Sequence, residues 1–294
     1  MDCVAQPDGS LRPFMGGSPF NTARAAALRG ASVGYLNPLS TDLFGLQTGA
    51  QLARDGVQLL TPASRLPTSL AVVQLNNGQP SYGFYREGVA DRDYTAKQVL
   101  NALAGVAPGV LHTGSLLLVP PEHDKVLTIL KGAKALGWTI SVDVNLRPRL
   151  APDLAHYVHA VKAVATLADW LKASDEDLAL LGFTHPSRAN APEIARHFTD
   201  QGASRVALTF GQHGAWLAVD GAYAEQDAAT VAVVDTVGAG DTFWGNCLGD
   251  WVLQPNHAAA RVAQTLVQAV RAAGINCTRP GCQPPTYAEL LARD

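Results

Sequence analysis

Asp241 is the residue around which a reaction could be built. It lies in the run Val234-Asp235-Thr236-Val237-Gly238-Ala239-Gly240-Asp241-Thr242-Phe243. The stretch before it, Ala229 to Val234, is short, apolar and β-branched and predicts a strand; from Asp241 to Leu253 the apolar residues fall at helical spacing. A glycine-rich turn feeding a helix start leaves backbone N–H groups unpaired and pointing one way, and with the helix dipole this suits an anion such as a transferring phosphoryl group. A carboxylate aimed into such a site repels a bound phosphate. It makes chemical sense if it takes a proton from an attacking hydroxyl. The run therefore reads as the centre of a phosphotransferase, with Gly238, Ala239 and Gly240 as the anion hole and Asp241 as the base. An isolated Gly-x-Gly-Asp is a weak motif whose Asp more often merely caps the helix, so the rest of the chain has to decide.

A second anchor is Gly16-Gly17-Ser18-Pro19-Phe20-Asn21-Thr22-Ala23. Paired glycines let backbone approach a ligand closely, and Ser18 or Pro19 opens a helix. Asn21 then presents both a donor and an acceptor, as sugar hydroxyls require. Around these anchors, helices are predicted at Ser18–Leu28 and Asp42–Arg54 with a strand at Ser32–Leu36 between them. From Gly109 onward strands and helices alternate: strand to Ser115, helix Glu122–Leu136, strand Trp138–Val144, helix Asp153–Leu167, strand Asp169–Ala173, helix Ala191–Gln201, strand Arg205–Phe210. That order predicts an α/β fold with a mostly parallel sheet covered on both faces. One region breaks the rhythm. Thr68–Leu75 and Pro80–Tyr85 alternate as strands around the turn signal Asn76-Asn77-Gly78-Gln79, followed by polar Arg86 to Tyr94, so a hairpin lid is expected there.

With 294 residues, 47% hydrophobic and 16% charged, the chain can bury a substantial core. A net charge of −3 gives no reason to expect nucleic acid or an acidic membrane as partner, so phosphate handling must be local. No apolar run reaches a membrane span and no secretory h-region is visible, so a cytoplasmic protein is expected. Cys3, Cys247, Cys277 and Cys282 lack metal-ligand spacing and are expected to be reduced thiols. His156 and His159 share a helix face without a partner motif. There is no Gly-x4-Gly-Lys-Ser/Thr, and the dinucleotide fingerprint lacks its third glycine, Phe243 standing in that place.

Gly16-Gly17 with Asn21, joined to Asp235 through Phe243, resembles the two signatures of the ribokinase-like (pfkB) carbohydrate kinases, with bacterial fructokinases as the nearest likeness. Supporting segments are Phe84 to Arg92, Asp143-Val144-Asn145-Leu146-Arg147-Pro148, Lys172 to Asp177, Thr209 to Gly214 and Asn276 to Gly281. The resemblance covers nearly the whole chain. It implies a ribokinase-like fold and an ATP-dependent kinase acting on a sugar hydroxymethyl group, fructose to fructose 6-phosphate above all, with 2-keto-3-deoxygluconate kinase and ribokinase as rivals. By it, Asp2, Gly16, Gly17, Asn21, Arg86, Asn145 and Arg147 face the sugar. Lys172, Ser174, Thr209, Gly211, Gly214 and Asn276 lie along the nucleotide. Glu176 and Asp177 reach Mg²⁺ through water, and Asp235 and Val237 belong to a monovalent-cation (K⁺) site. Residues 16–66 and 95–294 would form the α/β domain, with 1–15 and 67–94 the β lid.

Two departures stand out. The family's Asn-x-x-Glu, which organises the metal's water shell, is replaced by Ser174 and Asp177. Members open with a strand ending in Gly-Glu ahead of the acidic residue matching Asp2, whereas this chain opens Met1-Asp2-Cys3-Val4. That first strand is expected to be missing, the natural protein beginning upstream, and its loss would bare two neighbouring strand edges. A silent sugar-binding relative is the reading from another class, opposed by the intact Asp241 and its glycines; a dinucleotide oxidoreductase is the weakest. A two-stranded lid gains burial by packing on a second copy, which leaves room for a homodimer.

Overall fold

The structure, a computed structural model, describes residues 1–6, 8–76 and 79–292. In chain order the elements are β1 (Asp2–Ala5), β2 (Leu11–Phe14), α1 (Ser18–Leu28), β3 (Val33–Tyr35), α2 (Leu43–Arg54), β4 (Val57–Leu59), β5 (Leu70–Asn76), β6 (Gln79–Tyr85) and α3 (Ala96–Ala104). There follow β7 (Val110–Gly114), α4 (Glu122–Ala135), β8 (Thr139–Asp143), α5 (Leu154–Ala165), β9 (Trp170–Ser174), α6 (Asp175–Leu180), α7 (Ala191–Thr199) and β10 (Arg205–Thr209). The chain closes with β11 (Ala215–Val219), β12 (Ala222–Gln226), α8 (Ala239–Leu253), α9 (Val262–Cys277) and α10 (Tyr287–Leu291).

Three sheets result. The large one has the order β12-β11-β10-β9-β8-β7, parallel from β7 to β10 and antiparallel at β11 and β12. Its strands alternate between two apolar layers, as the two-residue side-chain period requires. Leu171, Val206 and Leu208 face a core with Ile129, Tyr157, Val161 and Phe198. Trp170, Ala207 and Leu217 face the other way, onto Trp244, Trp251 and Leu266. A second sheet, β2-β1-β5-β6, is the small β lid of this ribokinase-like α/β fold. Its hairpin β5–β6 pairs Asn76 with Gln79, while the expected turn residues Asn77 and Gly78 lie outside the described residues. β3 and β4 form a separate parallel pair, and β7 is an edge of the large sheet.

One expected strand does not form. Ala229–Val234 is irregular chain: its apolar side chains do not pair with an edge, and the N–H groups of Val234 and Asp235 both donate to the carbonyl of Cys277 at the end of α9. The large sheet already ends at β12, so β propensity here meets no partner strand.

α8 lies against α1 through two glycines. A Cβ on Gly245 would stand 2.6 Å from Ala25 Cβ and 2.7 Å from the carbonyl of Thr22, and one on Gly249 2.8 Å from Arg29 Cγ. Below this crossing Asp250, 2% exposed, accepts from Arg29 at 2.6 Å, Arg261 at 2.9 Å and the Thr265 hydroxyl at 2.6 Å, tying α1, α8 and α9 together. Burial alone would raise the Asp250 carboxyl, but Thr265, Arg261 and Arg29 hold it below its ordinary value. The stabilisation from this group is therefore full above the unfolded value of about 3.9 and is lost as pH falls through the lower folded value. Asp250→Ala is expected to cost about 3–5 kcal/mol near neutral pH, because it strands Arg29. The variant's urea midpoint should also fall less steeply than the wild type's as pH drops from about 5 to about 3.

Candidate active site

Two helix starts meet at Asp241. α8 begins after Gly238, whose φ of 73° places it in the left-handed region open to glycine, and no side chain caps the helix. Asp241 is thus the third helical residue, not the N-cap that an isolated motif would suggest. Its carboxylate, 8% exposed, is held from α1. Ser18 Oγ donates to Oδ1 at 2.6 Å and Asn21 Nδ2 donates to Oδ2 at 2.8 Å. Of the N–H groups from Val237 to Asp241, that of Val237 donates to Asp235 Oδ1 and that of Ala239 to the carbonyl of Thr236. Those of Gly238, Gly240 and Asp241 have no partner among the described residues and sit at the positive end of the α8 dipole.

Behind this helix start lies a buried ion pair. β8 and β9 run parallel with Asp143 opposite Lys172, and Lys172 Nζ donates to both carboxylate oxygens at 2.9 and 3.0 Å. Nζ also stands 3.3 Å from where a Cβ on Gly240 would be. Burial alone would lower Lys172, but Asp143 first, and then Asp177 and Asp241, raise it above its ordinary value, so the ammonium stays charged. Burial raises Asp143, against the pull of Lys172.

On the side expected to face the sugar, Asp2 of the lid packs on Gly16, where any Cβ would collide with its Oδ2. Burial raises Asp2 above the ordinary carboxylate range; Asp241 adds to this and Arg147 opposes it. Gly17, at φ 117°, is the residue before α1. Asn145 leaves β8 in the left-handed region at φ 39° and donates through Nδ2 to Ser18 Oγ at 3.1 Å. Asn therefore fits a place that few side chains tolerate. Arg147 holds the carbonyls of Asn145 and Leu146, and Arg86, just past β6, holds the carbonyl of Leu116 and Asp91. The structure so brings Asp2, Gly16, Asn21, Asn145 and Asp241 together, with Arg147 acting on Asp2 and Arg86 at the lid's exit.

The remaining expected residues divide. Thr209 pairs in register with Ser174 at the ends of β10 and β9, and Gly211 and Gly214 frame the turn into β11 with positive φ. Ser174 caps α6, accepting from Asp177 N–H. The buried Asp177 accepts from Leu146 N–H on Oδ1 and from Ser174 N–H and Oγ on Oδ2, so its oxygens serve the turn; Glu176 is exposed. Asn276 is fully buried and spans two loops, donating to Val237 O and accepting from Gln283 N–H. Asp235 accepts from Val237 and Gly281 N–H. No group of three or more His, Cys, Asp or Glu among the described residues could hold a metal, and no described helix is long and apolar enough to cross a membrane. The residues that the sequence did not assign are Ser18, Asp143 and Cys282, whose Sγ would be struck by any Cβ on Gly238.

The arrangement sets N–H donors at a helix start beside a carboxylate pinned from α1. Residues 3–288 match the pattern of the pfkB family carbohydrate kinases. The chain belongs to that family. It is 31% identical over 263 residues to the fructokinase of Rhizobium leguminosarum bv. trifolii, covering 88% of this chain and 78% of that protein. It is 30% identical over 240 residues to the 2-dehydro-3-deoxygluconokinase of Bacillus subtilis (strain 168), covering 78% and 71%. Among solved structures, fructokinase with bound ATP from Xylella fastidiosa superposes with a TM-score of 0.85 at 26% identity, covering 99% of this chain and 94% of that one.

The buried pair is open to a direct test. Lys172→Met should lower stability by about 3–5 kcal/mol in chemical denaturation, since Asp143 is left buried without a counter-charge. Adding Asp143→Asn should recover a large part of that loss. Equal midpoints for wild type and the single variant would show that the pair contributes nothing.

Proposed function

We propose that this chain is an ATP-dependent sugar kinase that phosphorylates the terminal hydroxymethyl of a ketose, converting fructose to fructose 6-phosphate. The observation that carries the reading is the Asp241 carboxylate, fixed by Ser18 and Asn21 beside three unpaired N–H groups at the start of α8. ATP supplies the phosphoryl group, and Mg²⁺ neutralises charge on its oxygens. The unpaired amides suit those phosphates, and the exposed Glu176, which the family likeness puts on the metal's water shell, would reach Mg²⁺ through water. Asp235 and Val237 would offer oxygens to K⁺.

In this reading Asp241 accepts the proton of the attacking sugar hydroxyl while the N–H groups of Gly238, Gly240 and Asp241 hold the phosphoryl oxygens. Lys172 adds positive charge beneath the same amides, and its own charge is secured by Asp143. Asn21 and Asn145 offer amides to the sugar, and the lid, carrying Asp2, limits water. Positioning and charge neutralisation then supply most of the catalysis.

A second substrate, 2-keto-3-deoxygluconate, is favoured by one observation. Arg147 acts electrostatically beside Asp2, and a guanidinium on the sugar side suits an acid sugar's carboxylate. A substrate panel of fructose, 2-keto-3-deoxygluconate and ribose with coupled ADP detection decides. Fructose should turn over fastest; rapid turnover of another sugar with none of fructose would reject the assignment. Asp241→Asn should lower kcat by about 10²–10⁴-fold with little change in sugar affinity, as loss of a general base requires. Undiminished turnover in that variant would remove Asp241 from the role.

A further inference from the structure

The Ser18 side chain makes the shorter of the two hydrogen bonds to the Asp241 carboxylate, 2.6 Å to Oδ1. It is buried, the first residue of α1, and it also receives a bond: Asn145 Nδ2 donates to its Oγ at 3.1 Å. A hydroxyl has one proton and two lone pairs. With one lone pair taken by an amide N–H, and Asn145 itself fixed by its left-handed backbone, the single Ser18 proton is directed at Asp241. Asn145 leaves β8 and Ser18 starts α1, so the chain Asn145–Ser18–Asp241 links the sugar side of the sheet to the start of α8.

Resting on the reading of Asp241 as the base, we propose that Ser18 is a positioning residue for the reaction. Its directed proton fixes the orientation of the carboxylate, and a hydrogen bond donated to a carboxylate favours the charged form. The titratable groups that face Asp241 come from several elements: Asp2 on β1, Asp143 on β8, Lys172 on β9 and the Cys282 thiol in the loop after α9. Ser18 holds Oδ1 by its donated hydrogen bond. Asn21 on Oδ2 does the same from the other side but is a substrate-facing amide; Ser18 serves the carboxylate alone.

The test is the pH dependence of kcat and kcat/KM for the best sugar of the panel, with saturating ATP, in wild type, Ser18→Ala, Ser18→Thr and Asn145→Ala, each checked by its thermal melt. In Ser18→Ala the acid limb should move up by roughly one pH unit, with turnover at the acid end down about tenfold, as for one hydrogen bond to a charged group. Sugar KM on the plateau should stay within about twofold. Ser18→Thr keeps the hydroxyl and should return the limb toward wild type. Asn145→Ala frees the hydroxyl to turn and should shift the limb the same way by less. If Ser18→Ala does not fold, the Asn145→Ala shift stands as the readout. A wild-type acid limb in a folded Ser18→Ala, or in Asn145→Ala, overturns the proposal while leaving the kinase reading in place. Full turnover in Asp241→Asn overturns both.

Discussion

Two helices approach closely because one of them presents glycine at the contact. Gly245 and Gly249 lie one turn apart on α8, and the backbone of α1, Ala25 and the stem of Arg29 fill the space that larger residues would occupy. This contact sets the rest of the site. It holds the first turns of α1 and α8 side by side, so that Ser18 and Asn21 reach the carboxylate of Asp241. Both helix dipoles then point their positive ends at one place. Asp250, further along α8, locks the same crossing from below with Arg29, Arg261 and Thr265. A wider crossing would keep the fold and lose the alignment of the carboxylate with the amides.

The charges around that alignment are balanced in pairs across elements. Lys172 answers Asp143 and lies beneath Gly240, while the N-terminal ammonium and, less strongly, Arg147 act against the raised Asp2 on the lid. Beside them the amides of Gly238, Gly240 and Asp241 have no partner among the described residues, at a helix start of the kind that suits an anion. The loop carrying them is itself secured, by Asn276 on Val237 and by Asp235 on Gly281. Asn276 and Asp235, which the family likeness assigns to nucleotide and cation, are thus struts of the loop that carries these amides.

Much of this was legible from residue order. Strands such as Val110–Gly114 and Arg205–Thr209 declare themselves by dense apolar, β-branched runs between helical patterns, and Gly238-Ala239-Gly240-Asp241 marks the helix start. Ala229–Val234 has the same local chemistry as a strand but meets no edge, a fact set by where β12 ends and not by its own residues. Ser18 looked like a helix opener, since its partners lie 127 and 223 positions away. The pairing of Asp143 with Lys172 depends on strand register, which the sequence of either strand alone does not fix.

That register carries a further meaning. Neighbouring positions on a strand face opposite sides of a sheet, so sliding β9 by one residue against β8 would turn the ammonium away from its carboxylate. Both charges would then be embedded in hydrocarbon on opposite faces, each uncompensated. The pair therefore acts as a key that admits one alignment of the sheet's central strands and penalises near misses during assembly. A feature that keeps the ammonium charged beneath the helix start also tells the folding chain which of its neighbouring threads to choose.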